Sequence, residues 1–351
     1  MNINKIPAKT FYWLHMNDAQ IDPAAAAAEG VFTAENPNCL TGRTEAASVL
    51  DIQTGMGDET ARLFDGAAIP VHYFTCAPGT KTADALRFDF MYRDGDSVLN
   101  RFEFEIPDNC DITVAMRFSA EKETAATAGI QVKFKIGKAS VVRLQQVQTL
   151  GGDVEFYNDT GVSCDDGARF ELTQVVLDGK HTYIGARTSL EGTASALVSD
   201  VGYLVGRDAR LDMNYVAYHT GKKTTCDINA SGVLSGNAYK LFRGTIDFRN
   251  GCAGAVGNEK EDIILMDEDI VNKTIPIILC EEEDVEGNHG ATIGRIDEEL
   301  MFYLESRGIP ADAVYDIMAK ARINAVAARI TDEKTRNAVT AYLGEEPEND
   351  E

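Results

Sequence analysis

The sequence has little basic charge, and this lack argues against one class of partner. Its 351 residues carry 33 Lys and Arg against 56 Asp and Glu, so that the formal net charge is -23. A protein that binds the nucleic-acid backbone needs a basic surface to displace counterions, and attraction to an anionic membrane needs a polybasic segment. We therefore expect no nucleic-acid or membrane partner. A strongly acidic protein can instead attract basic protein surfaces or metal cations.

Long apolar runs and a targeting segment are also missing. No run of about 18 apolar residues could cross a bilayer, and the N-terminus lacks the basic and apolar regions of a signal peptide. The seven cysteines are scattered, odd in number and never arranged as CxxC, which argues against a disulfide framework or a zinc finger. We expect a reducing, cytoplasmic location.

Common catalytic signatures are absent too. The sequence contains no GxxxxGK[ST] P-loop, no HExxH, no GxSxG and no kinase signature. Adjacent acids such as Asp165 and Asp166 are common on acidic surfaces, and nothing places them as a general acid and base. We therefore expect no ATP hydrolysis by a P-loop of this chain.

A long region of alternating apolar residues is present, from residue 71 to residue 296. Its apolar residues recur at every second position, which predicts strands with one buried and one solvated face. Two of the predicted strands are Phe170–Leu172 and Val175–Leu177. Many short strands between turns rich in Gly, Asn and Asp are typical of a sandwich, a barrel or a β-solenoid. Alternation does not choose among these folds, and because no repeat motif is visible, the turns of a solenoid would be degenerate.

Mixed and helical segments flank the β region. Residues 1–70 form a mixed N-terminal region, in which Pro23 and the alanines after it predict a short helix. Helical spacing of apolar residues returns over residues 297–344. Residues 345–351 include five acids, which predicts a disordered tail.

Three helices are predicted within residues 297–344. Asp297 is expected to cap the first helix, which ends before Gly308, and Pro310 is expected to open the second. Thr331 is expected to cap the third helix, which Gly344 ends.

Metal-binding residue types are concentrated at the end of the β region. Residues 277–292 contain Cys280, four glutamates, an aspartate and His289. Thiolate and imidazole ligate iron and iron–sulfur clusters, and the acids would favour a nearby cation. A histidine beside glycine also commonly has a structural role, and a strand-end cysteine is commonly buried. The residue types alone leave both interpretations open.

The sequence from residue 288 onward resembles a known family. The stretch Asn288-His289-Gly290-Ala291-Thr292-Ile293-Gly294-Arg295, followed by Phe302-Tyr303-Leu304 and Ser306-Arg307-Gly308-Ile309, is similar to a signature of the SufB/SufD iron–sulfur cluster assembly scaffolds. The resemblance is nearer to the SufD type and covers about residues 170–343.

The resemblance, rather than the spacing, implies a fold and partners. It implies a right-handed parallel β-helix body that pairs with a SufB-type subunit or with a second copy, and a transient cluster or iron at that interface. It also implies a non-catalytic scaffold whose C-terminal helices bind a SufC-type ABC ATPase through Phe302, Tyr303 and Arg307. An alternative role for the first of these helices is a structural cap over the end of the β body.

Residue-by-residue comparison with the family implies a partial ligand set. His289 matches a SufD-type interface histidine, whereas Glu261 occupies the position of the SufB-type interface cysteine. Gly287 stands where SufD-type members have a further cysteine. Cys280 is the first candidate to replace that thiol, and Cys252 is a weaker one.

Two other functions remain as alternatives at this point. The first is a purely structural SufD-like stabiliser that contributes no cluster ligands. The second is a carbohydrate-active β-helix enzyme. The acid-rich stretches are compatible with such an enzyme, but the signature that begins at residue 288 is not a feature of that class.

Overall fold

The body of the protein is a parallel β-solenoid of about eight turns, followed by three helices. The computed structural model describes residues 1–8, 11–22, 28–35 and 40–344. The expected mainly β fold with C-terminal helices is confirmed, and the right-handed sense of the solenoid stays a prediction. The helix predicted after Pro23 falls largely on residues 23–27, which lie outside the described residues, as does the predicted disordered tail.

Two facing sheets form the solenoid, and the chain alternates between them. The even sheet contains β6 (Val71–Cys76), β8 (Ser97–Ile106), β10 (Ala125–Ile136), β12 (Asp153–Cys164), β14 (His181–Leu190), β16 (Arg210–His219), β18 (Tyr239–Phe248) and β20 (Val271–Cys280). The odd sheet contains β7 (Leu86–Tyr92), β9 (Asp111–Ala120), β11 (Val141–Thr149), β13 (Arg169–Val176), β15 (Ala196–Val205), β17 (Thr225–Leu234), β19 (Ala255–Leu265) and β21 (Val285–Gly294). Each strand pairs in parallel with the strands one turn before and one turn after it.

Short elements precede the solenoid in the chain. They are β1 (Asn2–Ile3), a 3-10 helix (Tyr12–Leu14), β2 (Ala19–Gln20), β3 (Ala28–Glu29), β4 (Phe32–Glu35), β5 (Leu40–Glu45) and α1 (Asp58–Gly66). Strand β5 pairs antiparallel with β6, and β4 pairs antiparallel with β7. Because both sheet edges are covered here, we call this the capped end.

The turns of the solenoid repeat in backbone conformation, not in residue type. Glu155 is in register with His181, and Tyr239 with Val271, so that a turn takes between 26 and 32 residues. The bend that leads into each odd-sheet strand from β7 to β19 contains a residue with a positive φ angle one to seven positions before the strand, and the bend before β19 also contains Gly251. Apart from Gly251, these residues are Gly79, Asn109, Ala139, Gly167, Ala194, Lys223 and Gly254, with φ between 53° and 78°. Four of these residues are not glycine, and a positive φ angle is uncommon for such residues. They are Asn109, Ala139, Ala194 and Lys223.

Stacked side chains fill the space between the sheets. Phe74, Phe104 and Phe134 of the even sheet form an aromatic ladder, with ring centroids 5.2 and 4.6 Å apart, and Phe170 of the facing sheet lies 5.7 Å from Phe134. Parallel pairing in register places such rings above one another, and each aromatic pair stabilises the core beyond its buried area. The alternation in the sequence correctly placed Phe104 and Phe134 on a buried face.

Two predicted strands are in fact one. Phe170–Leu172 and Val175–Leu177 belong, except for Leu177, to the single strand β13. The polar pair between them misled the prediction, because Thr173 and Gln174 are buried. The Gln174 side chain donates a hydrogen bond of 2.6 Å to the Gln146 side-chain oxygen one turn away, which satisfies its amide inside the core.

Three helices follow β21: α2 (Glu298–Ser306), α3 (Ala311–Ala327) and α4 (Glu333–Tyr342). Asp297 caps α2 as expected, accepting hydrogen bonds from the backbone N–H groups of Glu299 and Leu300. The cap of α4 is Asp332, not Thr331, and its carboxylate accepts from the Thr335 N–H at 2.9 Å. The Thr331 hydroxyl instead accepts a hydrogen bond from the Gln145 side chain of the sheet.

The helices lie on the outer face of the odd sheet. A hydrophobic cluster joins residues of α3, α4 and the loop between them to two sheet strands, and it contains Val147, Val175, Ile323, Val326, Ile330 and Val339. The cap residue Asp332 also forms a buried ion pair with Arg87 of β7 at 2.6 Å. The helical segment therefore shares its core with the solenoid.

The N-terminal segment covers part of the opposite face. Ile6 and Met16 pack on Leu241, Ile275 and Ile277, which are outward residues of β18 and β20. The N-terminal segment therefore lies against the outer face of the last even-sheet strands.

Candidate functional site

The last turn of the solenoid forms an open end. Among the described residues no strand pairs with the outer edges of β20 and β21, and we call these two strands with their inward-facing side chains the open end. Val271 and Ile293 are 41% and 44% exposed there, although both strands carry the alternating pattern of a buried core. The metal-binding residue types of residues 277–292 therefore lie at this end.

His289 points along the inner face of the open end. A side chain at Gly287 would contact Phe248 and Ile278, both of which lie in the solenoid interior. Residues two apart on a strand share a face, so His289 belongs to the same inward row. The imidazole is nevertheless exposed, because no further turn lies over it.

Cys280 occupies one corner of the open end. It is in register with the buried Phe248 of the previous turn but is itself exposed. Its thiol donates to the Glu282 carbonyl at 3.0 Å. Cys252 lies nearby but is fully buried, and burial raises the pKa of its thiol, to which the negative charges of Glu282 and Cys280 add. Cys280 is therefore the more accessible of the two thiols.

The structure does not bring the predicted donors together. Cys280 ends β20 and Val285 begins β21, and His289 lies four residues further along, about 13 Å at the rise of a strand. No group of three or more His, Cys, Asp or Glu side chains arranged to hold a metal ion occurs in the described part of the chain. An iron–sulfur cluster takes about four protein ligands, so this open end supplies only part of such a set.

Glu261 is a structural acid inside the solenoid. Its carboxylate forms a buried ion pair with the Lys240 ammonium, accepts from the Thr274 hydroxyl at 2.5 Å and accepts from the Tyr203 hydroxyl at 3.1 Å. Lys240 is also buried, and burial lowers its pKa to about 8. Both Glu261 oxygens have partners, so an incoming metal would have to break these contacts.

Glu259 was not singled out by the sequence, yet it lies directly below His289. The two residues are in register on β19 and β21. Glu259 is 5% exposed, and its Oε2 atom has no hydrogen-bond partner among the described residues. Gly244 makes room for the carboxyl group, because a Cβ atom at that position would lie 2.4 Å from it. The signal was present in the sequence, since Glu259 and Glu261 occupy alternate, inward positions on either side of Lys260.

The proposed docking residues on α2 are accessible. Phe302 and Tyr303 are 74% and 53% exposed, and the Arg307 guanidinium lies 5.1 Å from the Tyr303 ring centroid. The inner side of the helix packs through Met301 and Leu304 against Ile296 and Val314. Sequence reasoning missed two further exposed apolar side chains in this region, which are Leu300 and Ile317.

Fold and site define a β-solenoid protein with an open end that carries candidate metal donors and with an exposed apolar helix beyond it. Within the described residues no helix has the length and apolarity needed to cross a bilayer. Residues 90–322 match the family model described as "SUF system FeS cluster assembly, SufBD core domain". The chain belongs to this SufBD family of iron–sulfur cluster assembly proteins.

Curated relatives resemble parts of the chain. Iron-sulfur cluster assembly protein SufD of Bacillus subtilis is 32% identical over 94 residues, which are 27% of this chain and 22% of that protein. Iron-sulfur cluster assembly protein SufB of the same organism is 22% identical over 187 residues, 53% of this chain and 40% of that protein. A chloroplastic SufBD family protein of Arabidopsis thaliana is 24% identical over 186 residues, 51% of this chain and 33% of that protein. The chain thus matches less than half the length of each of these relatives.

Burial of Glu259 should make the stability of the protein fall as the pH rises. Burial raises its pKa in the folded chain to about 8, from an ordinary value of 4.5. Between these pH values the unfolded chain has released a proton that the folded chain retains, so this stabilisation is full below about pH 4.5 and is lost as the pH rises through about 8. We expect Glu259→Gln to gain stability relative to wild type between about pH 5 and pH 8, by at most about 4 kcal/mol.

Urea unfolding at about pH 5 and about pH 8 measures how the stability of Glu259→Gln changes relative to wild type. Glu286→Gln, at an exposed position of β21, is the matched control and should parallel the wild type. If Glu259→Gln also parallels the wild type, the buried carboxyl group does not retain its proton.

Proposed function

We propose that this protein is a non-catalytic, SufD-type scaffold subunit of a cytoplasmic SUF iron–sulfur cluster assembly complex. In this proposal it pairs through its open end with a SufB-type subunit or a second copy, and binds a SufC-type ABC ATPase through its C-terminal helices. A nascent cluster or iron is the cargo of the complex. The observation that carries the proposal is the open end, which presents unpaired strand edges and family-matching donors on a chain of the SufBD family.

The open end favours association with another solenoid. Unpaired strand edges attract further strands, and natural proteins normally cover or interrupt them. At the opposite end the edges are formed by the short antiparallel strands β4 and β5, whereas β20 and β21 present ten-residue edges with Val271 and Ile293 exposed. A second solenoid docked end to end would satisfy these groups and bury the inward row.

Cargo binding would then be shared between two chains. His289 and Cys280 are the donors that this chain offers at the open end, Cys252 is a weaker candidate because it is buried, and Glu261 is held by Lys240. Imidazole and thiolate suit iron or an iron–sulfur cluster. The remaining ligands would come from the partner, which agrees with the wide spacing of the donors in this chain.

The comparison with relatives favours the SufD type. Identity is 32% with a SufD protein over its shorter match and 22% with a SufB protein. The position of the SufB-type cysteine is occupied by the ion-paired Glu261, so the thiol that a SufB-type scaffold would offer there is replaced by a structural carboxylate.

A purely structural SufD-like role is the second candidate function. It is favoured by one observation: the described residues contain no group of three donors that could hold a metal ion. In that role His289 would form a hydrogen bond across the interface, and the chain would only stabilise its partners.

Anaerobic co-expression with a SufC-type ATPase and a SufB-type protein tests these functions. We expect the purified complex to carry a cluster visible by absorption, and His289→Ala to lose most of that absorption while the subunits stay associated. His181→Ala, on β14 away from the open end, is the matched control. Full absorption with His289→Ala would support the structural role instead, and failure of the subunits to co-purify would overturn the proposed complex.

Pairing through the open end predicts a charge-sensitive interface. Ile293→Asp would place a carboxylate in an apolar contact between two solenoids, so we expect association to weaken at least tenfold, about 1.4 kcal/mol. Light scattering after size-exclusion chromatography measures the assembly state. Val31→Asp, an equally apolar and 80% exposed residue near the capped end, is the control and should change nothing. Equal effects of both variants would place the interface elsewhere.

If the ATPase binds to α2 and the residue that follows it, substitutions there should weaken its binding. Arg307→Glu and Phe302→Ser should each weaken binding of the ATPase by about 2 kcal/mol, roughly 30-fold, if they lie in the centre of the interface. Pull-down with a titrated ATPase reports the change. Arg62→Glu reverses an exposed charge on α1 and serves as the control. Unchanged binding by both α2 variants would leave α2 as a structural cap.

A further inference from the structure

Two cysteines meet near the capped end, far from the donors discussed above. Cys76 ends β6, and Cys110 lies in the bend just before β9. Although 34 positions separate them in sequence, their Sγ atoms are 3.7 Å apart. The winding of the chain explains this proximity, because one solenoid turn returns Cys110 to the neighbourhood of the strand that Cys76 ends.

The backbone around both thiols is fixed by hydrogen bonds. Cys76 is paired with Leu40 in the antiparallel ladder of β5 and β6. The Cys110 N–H donates to the Ser140 hydroxyl at 2.9 Å, and that hydroxyl donates to the Pro107 carbonyl at 2.6 Å. The two sulfur atoms are thus held within reach of one another rather than meeting by chance fluctuation.

The distance between the sulfur atoms is suited to bond formation. A disulfide bond is about 2.05 Å long, so the two sulfur atoms must approach by about 1.6 Å. The thiols also differ in access. Cys76 is half-buried, whereas Cys110 is 2% exposed, so an oxidant in solution reaches Cys76 first.

We propose that Cys76 and Cys110 are a reversible redox modification site that forms an intramolecular disulfide. The oxidant is a low-molecular-weight disulfide such as oxidised glutathione. The Cys76 thiolate attacks one sulfur of the oxidant, which forms a mixed disulfide and releases one small thiolate. The Cys110 thiolate then attacks the Cys76 sulfur and displaces the second small thiolate. Two protein thiols are oxidised by two electrons, their two protons are released, and the oxidant is reduced to two thiols.

The bond would connect the cap to the body of the solenoid. Strand β6 is the inner neighbour of the covering strand β5, and Cys110 precedes β9 of the second turn. Oxidation therefore ties the first turn to the second and restrains the capped end, while the open end carries no part of the cross-link. Partly accessible disulfides of this kind are the ones that small thiols reduce again.

Peptide mapping of the full chain tests the site. Reduced protein is equilibrated with oxidised glutathione, quenched with an alkylating reagent and digested with trypsin. Cys76 and Cys110 fall in separate tryptic peptides, residues 63–81 and 102–117. We expect these two peptides to be joined, an intact mass lower by about 2 Da than that of the reduced chain, and full reversal by dithiothreitol.

Single variants separate this bond from other thiol chemistry. Cys110→Ser should trap the first step, so that Cys76 carries glutathione and the mass rises by about 305 Da. Cys280→Ser removes an exposed cysteine elsewhere and should still form the joined peptides. Recovery of both peptides in alkylated form overturns the proposal, as does a bond from Cys76 to Cys39 or to any cysteine other than Cys110.

Discussion

Parallel pairing in register between successive turns is the constraint on which the whole molecule depends. Each strand is satisfied only by the strands one turn before and after it, and neighbouring turns place equivalent side chains above one another. The phenylalanine ladder and the position of His289 above Glu259 are both products of this register. The same rule leaves the final turn with a neighbour on one side only, and this creates the open end without any special residue.

The sequence predicted the elements of the fold better than their boundaries. Alternating apolar residues located the β region, and the acid at Asp297 located the start of α2. Strand β13 was divided because Thr173 and Gln174 are polar, although the interior of the solenoid accommodates amides that bond to one another between turns. The repeat was invisible because Ala139, Ala194 and Lys223 share a backbone conformation and no side-chain property.

The candidate site was predictable in part. The resemblance singled out His289, but only the register shows that its neighbour is the buried Glu259 and that Cys280 lies at the corner where β20 ends. For Glu261, the sequence indicated its family position and not its role, because the partner Lys240 comes from a different strand 21 residues earlier. Contacts between strands of different turns have no local signal, so a single sequence cannot reveal them.

The difference between the two ends of the solenoid bears on how many chains could join in the proposed assembly. In the described residues, short antiparallel strands of four and six residues form the outer sheet edges at one end, and ten-residue strands form them at the other. A solenoid open at both ends could add subunits head to tail without limit and grow into a fibre. Because short edge strands such as β4 and β5 discourage further pairing, the proposed end-to-end association would stop at two chains.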